Sequence, residues 1–307
     1  MSIKRILTVS LTIMLLAGLL FVVGCEEDEP TVTVGSKEFT EQLVLGQIAL
    51  YALEDAGIPV EDETNLGGTV IAREALERGD INMYWEYTGT ALVEFMGADV
   101  ITDPEEAYDT ISEWDLEEND LVWLEKTPFN NTYTIMMRQE DAEEMDIYTL
   151  SDLAEAINEG REAPEPGEWT FATDHEYEAR DDGLDEVQRH YGFEFDDYEV
   201  MDLGITYGAL NDGSHATAMG FATDARIAEF NLINLEDDQE FHPVYNCSPV
   251  VRQDILDEYP EIEDILNPIA LALTPEVMSS LNMKVDMEDM TPSEVAEEWL
   301  REEGFIE

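Results

Sequence analysis

Strand-like and helix-like patterns alternate along residues 31–90. Residues 31–34 alternate polar and apolar side chains, as a half-buried strand does. Apolar residues then recur with helical spacing over 40–56, and Gly57 and Pro59 mark the end of that helix. The predicted order is strand 31–34, helix 40–56, a strand near Val60, helix 69–78 and a strand over 81–84. Such an order predicts a parallel sheet in an α/β fold.

Capping residues mark three further helices. Asp103-Pro104-Glu105-Glu106 and Thr291-Pro292-Ser293-Glu294 each offer an N-cap residue, a proline at N1 and a glutamate at N3. We expect the second of these helices to end at Gly304. Ser151 is predicted to cap a helix that runs to Glu159.

Two more segments, 133–138 and 244–251, look like strands flanked by loops. If the chain passes from one lobe to another and returns, these strands are the candidate crossings.

The first 25 residues have the pattern of an export signal. Lys4 and Arg5 precede an uncharged stretch over 6–23. Val22-Val23-Gly24-Cys25 resembles the lipobox of exported lipoproteins. This implies a signal peptide over 1–24, cleavage before Cys25, a diacylglycerol anchor on its sulfur and a spacer over 25–30. The alternative is an uncleaved anchor with an incidental cysteine, and in either case we expect the rest of the chain outside the cytoplasm, tethered to a membrane.

Composition excludes several classes of partner. The 307 residues include 73 Asp and Glu but 14 Lys and Arg, for a formal net charge of −59. Nucleic acid and anionic membrane surfaces are recognised by basic patches, so binding to either is not expected. A charge this large repels itself at low ionic strength and is screened by salt, which predicts a protein adapted to high salt.

Cysteine and histidine usage indicates neither a disulfide framework nor a metal site. Cys25 and Cys247 are the two cysteines, and a lipidated Cys25 would leave Cys247 as a small buried residue. None of the four histidines has metal-ligand spacing to another His or Cys, so no metal is predicted. Because no nucleotide-binding or nucleophile-elbow motif occurs, no cofactor and no catalytic residue are predicted.

Seven short motifs occur in order along the chain. Three aromatics and two threonines cluster over 84–90, at the end of a predicted strand, where ligands of α/β sheets bind. On pattern alone, core packing is the better interpretation of these rings. The motifs lie at 35–42, 66–69, 86–90, 171–174, 180–184, 191–195 and 221–224. Together they resemble the osmoprotectant-binding proteins of ABC importers, which take up glycine betaine, choline and carnitine, and the resemblance covers residues 31–307.

The resemblance implies a two-lobed periplasmic binding protein fold of type II, with two crossing strands as its hinge. Lobe one would contain 31–130 and 244–307, and lobe two would contain 131–243. The expected function is capture of a quaternary ammonium osmoprotectant between the lobes, without catalysis, and delivery to a membrane permease. We expect a monomer that binds a small betaine- or choline-type ligand.

The resemblance also implies the ligand residues. The ammonium would be held by an aromatic box with a main-chain carbonyl, and the carboxylate by cations and hydroxyls. The predicted ammonium box is Tyr87, Tyr133, Phe221, Tyr245 and Asn131. The predicted carboxylate end is Lys37, Thr90, Arg180 and Glu176, the last of which is expected to orient Arg180. Three positions depart from the family pattern. Phe221 stands where tyrosine is common, Asn131 stands where aspartate can occur, and the segment 214–219 lacks the acidic residue that is frequent before that strand.

Three alternatives remain open at this stage. The first is a choline- or carnitine-preferring protein of the same family. The second is an anchored extracellular hydrolase that uses an acid pair such as Glu86 and Glu176. The third is a sensor that binds the same ligand but signals. Lys37 and Arg180 beside the aromatics favour binding of an anionic head group over hydrolysis.

Overall fold

Two five-stranded sheets organise the computed structural model, which describes residues 30–180 and 182–307. The predicted signal peptide, Cys25 and nearly all of the spacer lie outside the described residues. The strands are β1 Val32–Gly35, β2 Val60–Glu63, β3 Met83–Tyr87, β4 Leu121–Trp123, β5 Tyr133–Arg138, β6 Thr170–Thr173, β7 Asp197–Val200, β8 Thr217–Phe221, β9 Leu232–Asn234 and β10 Cys247–Arg252. The first sheet has the order β2-β1-β3-β10-β4, and the second has the order β7-β6-β8-β5-β9.

Both sheets are mixed. In the first, β1 pairs in parallel with β2 and β3, as the sequence predicts, but β10 runs antiparallel to β3 and β4. In the second, β6 is parallel to β7 and β8, and β5 is antiparallel to β8 and β9. The parallel arrangement predicted for the first three strands is therefore confirmed, and β10, which returns from the second sheet, adds an antiparallel strand to them.

Helices fill the connections between the strands. No helix among the described residues is both long enough and apolar enough to span a bilayer. A π-helical segment, Ala91–Met96, directly follows the short helix Thr88–Thr90. The α-helices are α1 Thr40–Asp55, α2 Thr69–Arg78, α3 Thr88–Thr90, α4 Pro104–Asn119, α5 Gln139–Met145, α6 Leu150–Asn158, α7 His175–Ala179, α8 Leu184–Tyr191, α9 Leu203–Asn211, α10 Arg226–Glu229, α11 Gln253–Glu258, α12 Glu261–Ala272, α13 Pro275–Glu288 and α14 Pro292–Glu303.

Two of the three predicted caps are confirmed. The side chain of Asp103 accepts hydrogen bonds from the first turn of α4, and Thr291 forms a capping box with Glu294 in α14. The prediction for Ser151 is wrong, since Thr149 caps α6 through a capping box with Asp152. Threonine and serine are both good N-caps, so composition alone does not separate positions two residues apart.

The chain changes sheets just before each of the two strands predicted as crossings. It leaves the first sheet after β4 and returns to it at β10, so residues 124–132 and 235–246 connect the sheets. These segments meet at an isolated antiparallel bridge between Asn130 and Asn246. The backbone N–H of Asn131 donates to the carbonyl of Tyr245 at 3.1 Å. This pairing holds Asn131 and Tyr245 side by side, where the chain passes between the sheets.

Strand β3 is buried along its whole length, from Met83 to Tyr87. Central strands of α/β sheets are covered on both faces, which fits four of these residues, whereas the fifth, Glu86, is a buried carboxylate paired with Lys37. Its pairing partner β10 begins at Cys247, which is fully buried, as predicted. The packing fixes the end of β3, where Tyr87 leads into α3.

Candidate ligand-binding site

A cavity of about 860 Å³ lies between residues that follow strands of the two sheets. Its lining combines the loop after β1, the end of β3, both connecting segments and the ends of β5 and β8. All nine residues predicted as ligand contacts from the sequence lie on this lining. They are Lys37, Tyr87, Thr90, Asn131, Tyr133, Glu176, Arg180, Phe221 and Tyr245.

Strand ends bring the aromatic residues to the cavity. Tyr87 is the last residue of β3, Tyr133 is the first of β5, and Phe221 is the last of β8. Because β5 and β8 are antiparallel, Tyr133 and Phe221 are direct cross-strand partners. Their register places both rings at the same edge of the second sheet.

Gly89 allows Tyr245 to approach the end of β3. A Cβ atom at Gly89 would lie 2.7 Å from the carbonyl oxygen of Val244 and 2.9 Å from Cδ1 of Tyr245. Real Cβ atoms do not approach other atoms this closely. Any residue other than glycine at position 89 would therefore prevent the connecting segment from lying here. The hydroxyl of Thr88 donates to the same Val244 carbonyl at 2.9 Å, which holds the segment in place.

The rings form a continuous aromatic cluster along the cavity. Phe39 stacks on Tyr87 with 6.2 Å between ring centroids and on Phe221 with 5.4 Å. Tyr133 lies 4.9 Å from Phe221 and 5.5 Å from Tyr245, the latter in an edge-to-face arrangement. Sequence reasoning missed Phe39, although the residue lies within the 35–42 motif. We call these five residues the aromatic cluster.

Lys37 is buried and paired inside the protein. Its Nζ donates to Oε1 of Glu86 at 2.7 Å, and the two side chains are 3% and 0% exposed. The same nitrogen lies 5.3 Å from the ring centroid of Tyr87. Glu86 also accepts from the hydroxyl of Tyr84 at 2.8 Å, so several groups fix its carboxylate.

Arg180 is paired as well. Its Nε and Nη2 donate to the two carboxylate oxygens of Asp182 at 2.6 and 2.8 Å, and its Nη1 donates to Glu176 at 3.3 Å. The guanidinium carbon lies 5.2 Å from the ring centroid of Tyr133. Asp182 in turn accepts a hydrogen bond from the hydroxyl of Tyr245. The residues predicted for a carboxylate end are thus interleaved with the aromatic cluster rather than separated from it.

Glu176 links Arg180 to the first turn of α2. Its Oε1 accepts from the hydroxyl of Thr69 at 2.6 Å, and its Oε2 accepts from the backbone N–H of Thr69 at 3.4 Å. Burial acts to raise the pKa of Glu176, but Lys37, Thr69 and Arg180 together hold this pKa below its ordinary value. The carboxylate therefore remains charged. Its contact with Thr69 joins α7, which follows a strand of the second sheet, to α2, which follows a strand of the first.

Glu41 is the acceptor of a hydrogen-bond network that sequence reasoning missed. This carboxylate is 2% exposed and lies in the first turn of α1. Oε1 accepts from the Tyr87 hydroxyl at 2.7 Å and from Nδ2 of Asn131 at 2.8 Å. Oε2 accepts from the Thr223 hydroxyl at 2.7 Å and from Nδ2 of Asn282 at 3.1 Å. Burial raises the pKa of Glu41, although all four donors act to lower it.

A second contact, between Arg226 at the start of α10 and Asp286 in α13, lies at the side of the cavity. Nη2 of Arg226 lies 3.3 Å from Oδ2 of Asp286 in α13, and the hydroxyl of Thr40 donates to Oδ1 of Asp286 at 2.6 Å.

Asp174, which also lines the cavity, caps α7 by accepting from the backbone N–H of Tyr177 at 2.7 Å. Burial raises the pKa of Asp174 to about 6.

The family is decided by a match to almost the whole described chain. A family model for the substrate binding domain of ABC-type glycine betaine transport systems matches residues 30–302. The chain belongs to this family. The resemblance found from the seven motifs is therefore confirmed.

Relatives in this family match along nearly their full length. A glycine-betaine-binding protein of Pseudomonas aeruginosa is 38% identical over 290 residues, which cover 94% of this chain and 92% of the relative. The carnitine transport binding protein OpuCC of Listeria monocytogenes is 31% identical over 305 residues, 96% of each chain. A solved structure described as a glycine betaine/carnitine/choline ABC transporter aligns with a TM-score of 0.74 at 28% identity, covering 90% of this chain and 100% of that one. The predicted two-lobed α/β fold of periplasmic binding proteins is confirmed.

Proposed function

We propose that this chain is an extracytoplasmic solute-binding protein that captures glycine betaine or a related quaternary ammonium osmoprotectant and delivers it to the permease of an ABC importer. The observation that carries the proposal is the meeting of the aromatic cluster at one cavity. Methyl groups cover the charge of a quaternary ammonium, which therefore donates no hydrogen bond. Aromatic faces attract such a cation by about 0.5–2 kcal/mol each. In this proposal Tyr87, Tyr133, Phe221 and Tyr245 surround the ammonium, and the carbonyl of Asn131 adds a dipole.

The carboxylate of a betaine would share cations with the protein's own acids. Lysine carries three N–H donors and arginine five. Lys37 uses one donor on Glu86, and Arg180 uses three on Asp182 and Glu176. Both retain donors for a ligand carboxylate, with the hydroxyl of Thr90 nearby on the lining. A preference for choline, which has no carboxylate, or for carnitine is the alternative within the family.

Ligand binding would favour closure of two lobes. We assign 31–130 and 244–307 to lobe one, and 131–243 to lobe two. Contacts such as Glu176 with Thr69 and Arg226 with Asp286 would then form between the lobes in the closed state. A ligand shifts this equilibrium only by its differential affinity for the closed form. Ligand groups that touch both lobes provide that difference.

Binding without catalysis is the better of the two classes considered. Hydrolysis by an acid pair requires two carboxyl groups that face the substrate. Glu86 is 0% exposed, paired with Lys37, and lies behind the cavity lining rather than on it. Of the proposed acid pair, Glu176 alone reaches the cavity. In the same proposal, the protein acts as a monomer without cofactor or metal, anchored to the membrane through Cys25.

Calorimetric titration of residues 30–307 in concentrated salt tests the function. Glycine betaine, choline and carnitine are titrated separately, with acetate as a control that lacks the ammonium. We expect saturable heat with one ligand per chain for at least one of the three amines and none for acetate. Absence of heat and of any thermal shift with all three amines would contradict the proposal.

A further inference from the structure

The carboxylates around the cavity differ in whether a basic side chain neutralises them. Glu176 pairs with Arg180, and Asp286 pairs with Arg226. Within residues 30–180 and 182–307, no Lys, Arg or His nitrogen forms an ion pair with Glu41, although this carboxylate is 2% exposed and lines the cavity. Its four hydrogen-bond donors are neutral hydroxyls and amides. Such donors spread a negative charge but do not cancel it.

A buried carboxylate without a counter-charge is costly to the folded protein. Removal of one of its donors would make the cost greater, because the site relies on every hydrogen bond that it has. Since the carboxylate faces a cavity rather than packed core, a cation entering that cavity would lower this cost. Burial raises the pKa of Glu41, which agrees with a carboxylate that has no basic partner of its own.

The position of Glu41 relative to the rings indicates which ligand group would reach it. Tyr87 donates its hydroxyl hydrogen bond to Glu41, so the carboxylate lies at the edge of that ring. Phe39, whose ring stacks on Tyr87, lies two residues before Glu41 at the start of α1. A hydrogen bond to a carboxylate also pushes electron density onto the phenol ring, which strengthens the attraction of its face for a cation. Charge and ring faces therefore act on the same volume.

We propose that Glu41 supplies the counter-charge for the ligand's quaternary ammonium, and that it makes the site select a charged head group over a neutral one of the same shape. The inference rests on the proposed function and deepens it. The aromatic cluster contributes shape and a moderate attraction that neutral methyl groups partly share. The carboxylate attracts the positively charged head group but not a neutral group of the same shape.

Paired ligands that differ only in the charged atom test this role. Glycine betaine and 3,3-dimethylbutanoate have the same shape and the same carboxylate, but carbon replaces the ammonium nitrogen in the second. We measure the ratio of their dissociation constants for the wild-type protein, for Glu41→Gln and for Glu54→Gln. Glu54 is an exposed residue of the same helix, so its variant makes the same chemical change away from the cavity.

The Glu41→Gln substitution is expected to change the affinities for the two ligands differently. Glu41→Gln should weaken glycine betaine by about tenfold or more and should leave 3,3-dimethylbutanoate equal or tighter, since that ligand is an anion. Glu54→Gln should leave the ratio unchanged. Equal weakening of both ligands by Glu41→Gln would overturn the inference, because it would show Glu41 to be a structural hydrogen-bond acceptor.

A second variant covers the case in which Glu41→Gln does not fold. Glu41→Asp keeps the charge but withdraws it by one methylene from the rings, so the dissociation constant of 3,3-dimethylbutanoate divided by that of glycine betaine should fall by about two- to fivefold. An unchanged ratio for this variant also overturns the inference. If the wild-type protein binds glycine betaine while neither variant alters the ratio, the inference alone fails. If the wild-type protein binds none of the quaternary amines, the proposed function fails with it.

Discussion

At the scale of single residues, the cavity joins cations and ring faces that the protein has already paired with each other. Lys37 lies near the face of Tyr87 while bound to Glu86, and Arg180 lies near the face of Tyr133 while bound to Asp182. A ligand therefore enters a site whose charges are mostly balanced before it arrives. The preference among betaine, choline and carnitine depends on how well the ligand replaces or shares these contacts.

Removal of one ring from the aromatic cluster tests its contribution. Tyr133 contacts both Phe221 and Tyr245, so it is a central member of the cluster. Tyr133→Leu should weaken glycine betaine by about tenfold or more, whereas Tyr133→Phe, which keeps the ring face, should change it by about threefold or less. Dissociation constants from calorimetry check this, with melting temperatures to confirm that both variants fold. Equal losses for the two variants would assign the effect to the hydroxyl instead.

Asp174 gives a prediction about pH. Burial raises its pKa to about 6 in the folded protein, and an unfolded aspartate titrates at about 3.9. Between these values the folded state binds more protons than the unfolded state, so the contribution of Asp174 to stability is lost as pH rises through this window. Asp174→Asn keeps an N-cap for α7 and removes this loss.

The melting temperature of Asp174→Asn minus that of the wild type should therefore increase between about pH 4 and about pH 7. Thermal unfolding of both proteins across this range measures the difference. Asp99→Asn, at an exposed position, is the matched control and should show no such trend. A difference that stays constant or decreases with pH would contradict the account of Asp174.

Nine residues of the cavity lining could be predicted from the family resemblance, and five of them lie inside its seven motifs. The pairing of its cations could not, since 73 acidic residues offer too many partners for 14 basic ones. Phe39 and Glu41 were missed although they lie in the first motif, because the start of a helix gives no sign of which side chains face a cavity. Asn282 comes from the distant helix α13 and has no motif of its own.

At the scale of elements, the site depends on where strands end and where the chain changes sheets. Tyr87, Tyr133 and Phe221 each occupy a strand terminus, and Tyr245 lies in the segment that returns to the first sheet. Sequence patterns place the strands within a few residues, but they do not distinguish a strand from the extended segment that leads into it. For this reason the crossings lie just ahead of the strands that were predicted to form them.

The contact at the start of α2 gives a prediction about closure. Thr69→Val keeps the shape of the residue and removes the hydroxyl that donates to Glu176 at 2.6 Å. If this contact forms only in the closed state, the variant should bind glycine betaine about three- to tenfold more weakly. Thr64→Val is the control, since its hydroxyl donates to Asp62 within the same part of the chain. Unchanged affinity in Thr69→Val would mean that the contact does not contribute to closure.

At the scale of the whole molecule, the dominant feature is a formal net charge of −59. Like charges on one surface repel, and this repulsion opposes the compact state at low ionic strength. At 1 M salt the screening length is only about 3 Å, which removes most of the repulsion between exposed groups. Charge of this kind says nothing about the fold, which was identified through the family motifs instead.

Salt should therefore stabilise the protein strongly. We expect the melting temperature to rise continuously as sodium chloride increases from about 0.1 M to about 2 M. Sucrose at matched osmolality is the control, because it acts through exclusion from the surface and not through screening. A melting temperature that is independent of salt, or that responds equally to sucrose, would contradict the prediction of adaptation to high salt.

The central claim is that the aromatic cluster receives the ammonium of a quaternary amine. A crystal structure of the protein grown with saturating glycine betaine in concentrated salt tests it most directly. The account predicts that the ammonium nitrogen lies within about 6 Å of the ring centroids of Tyr87, Tyr133 and Tyr245. Glycine betaine bound at another place, or a cavity without ligand under saturating conditions, would contradict it.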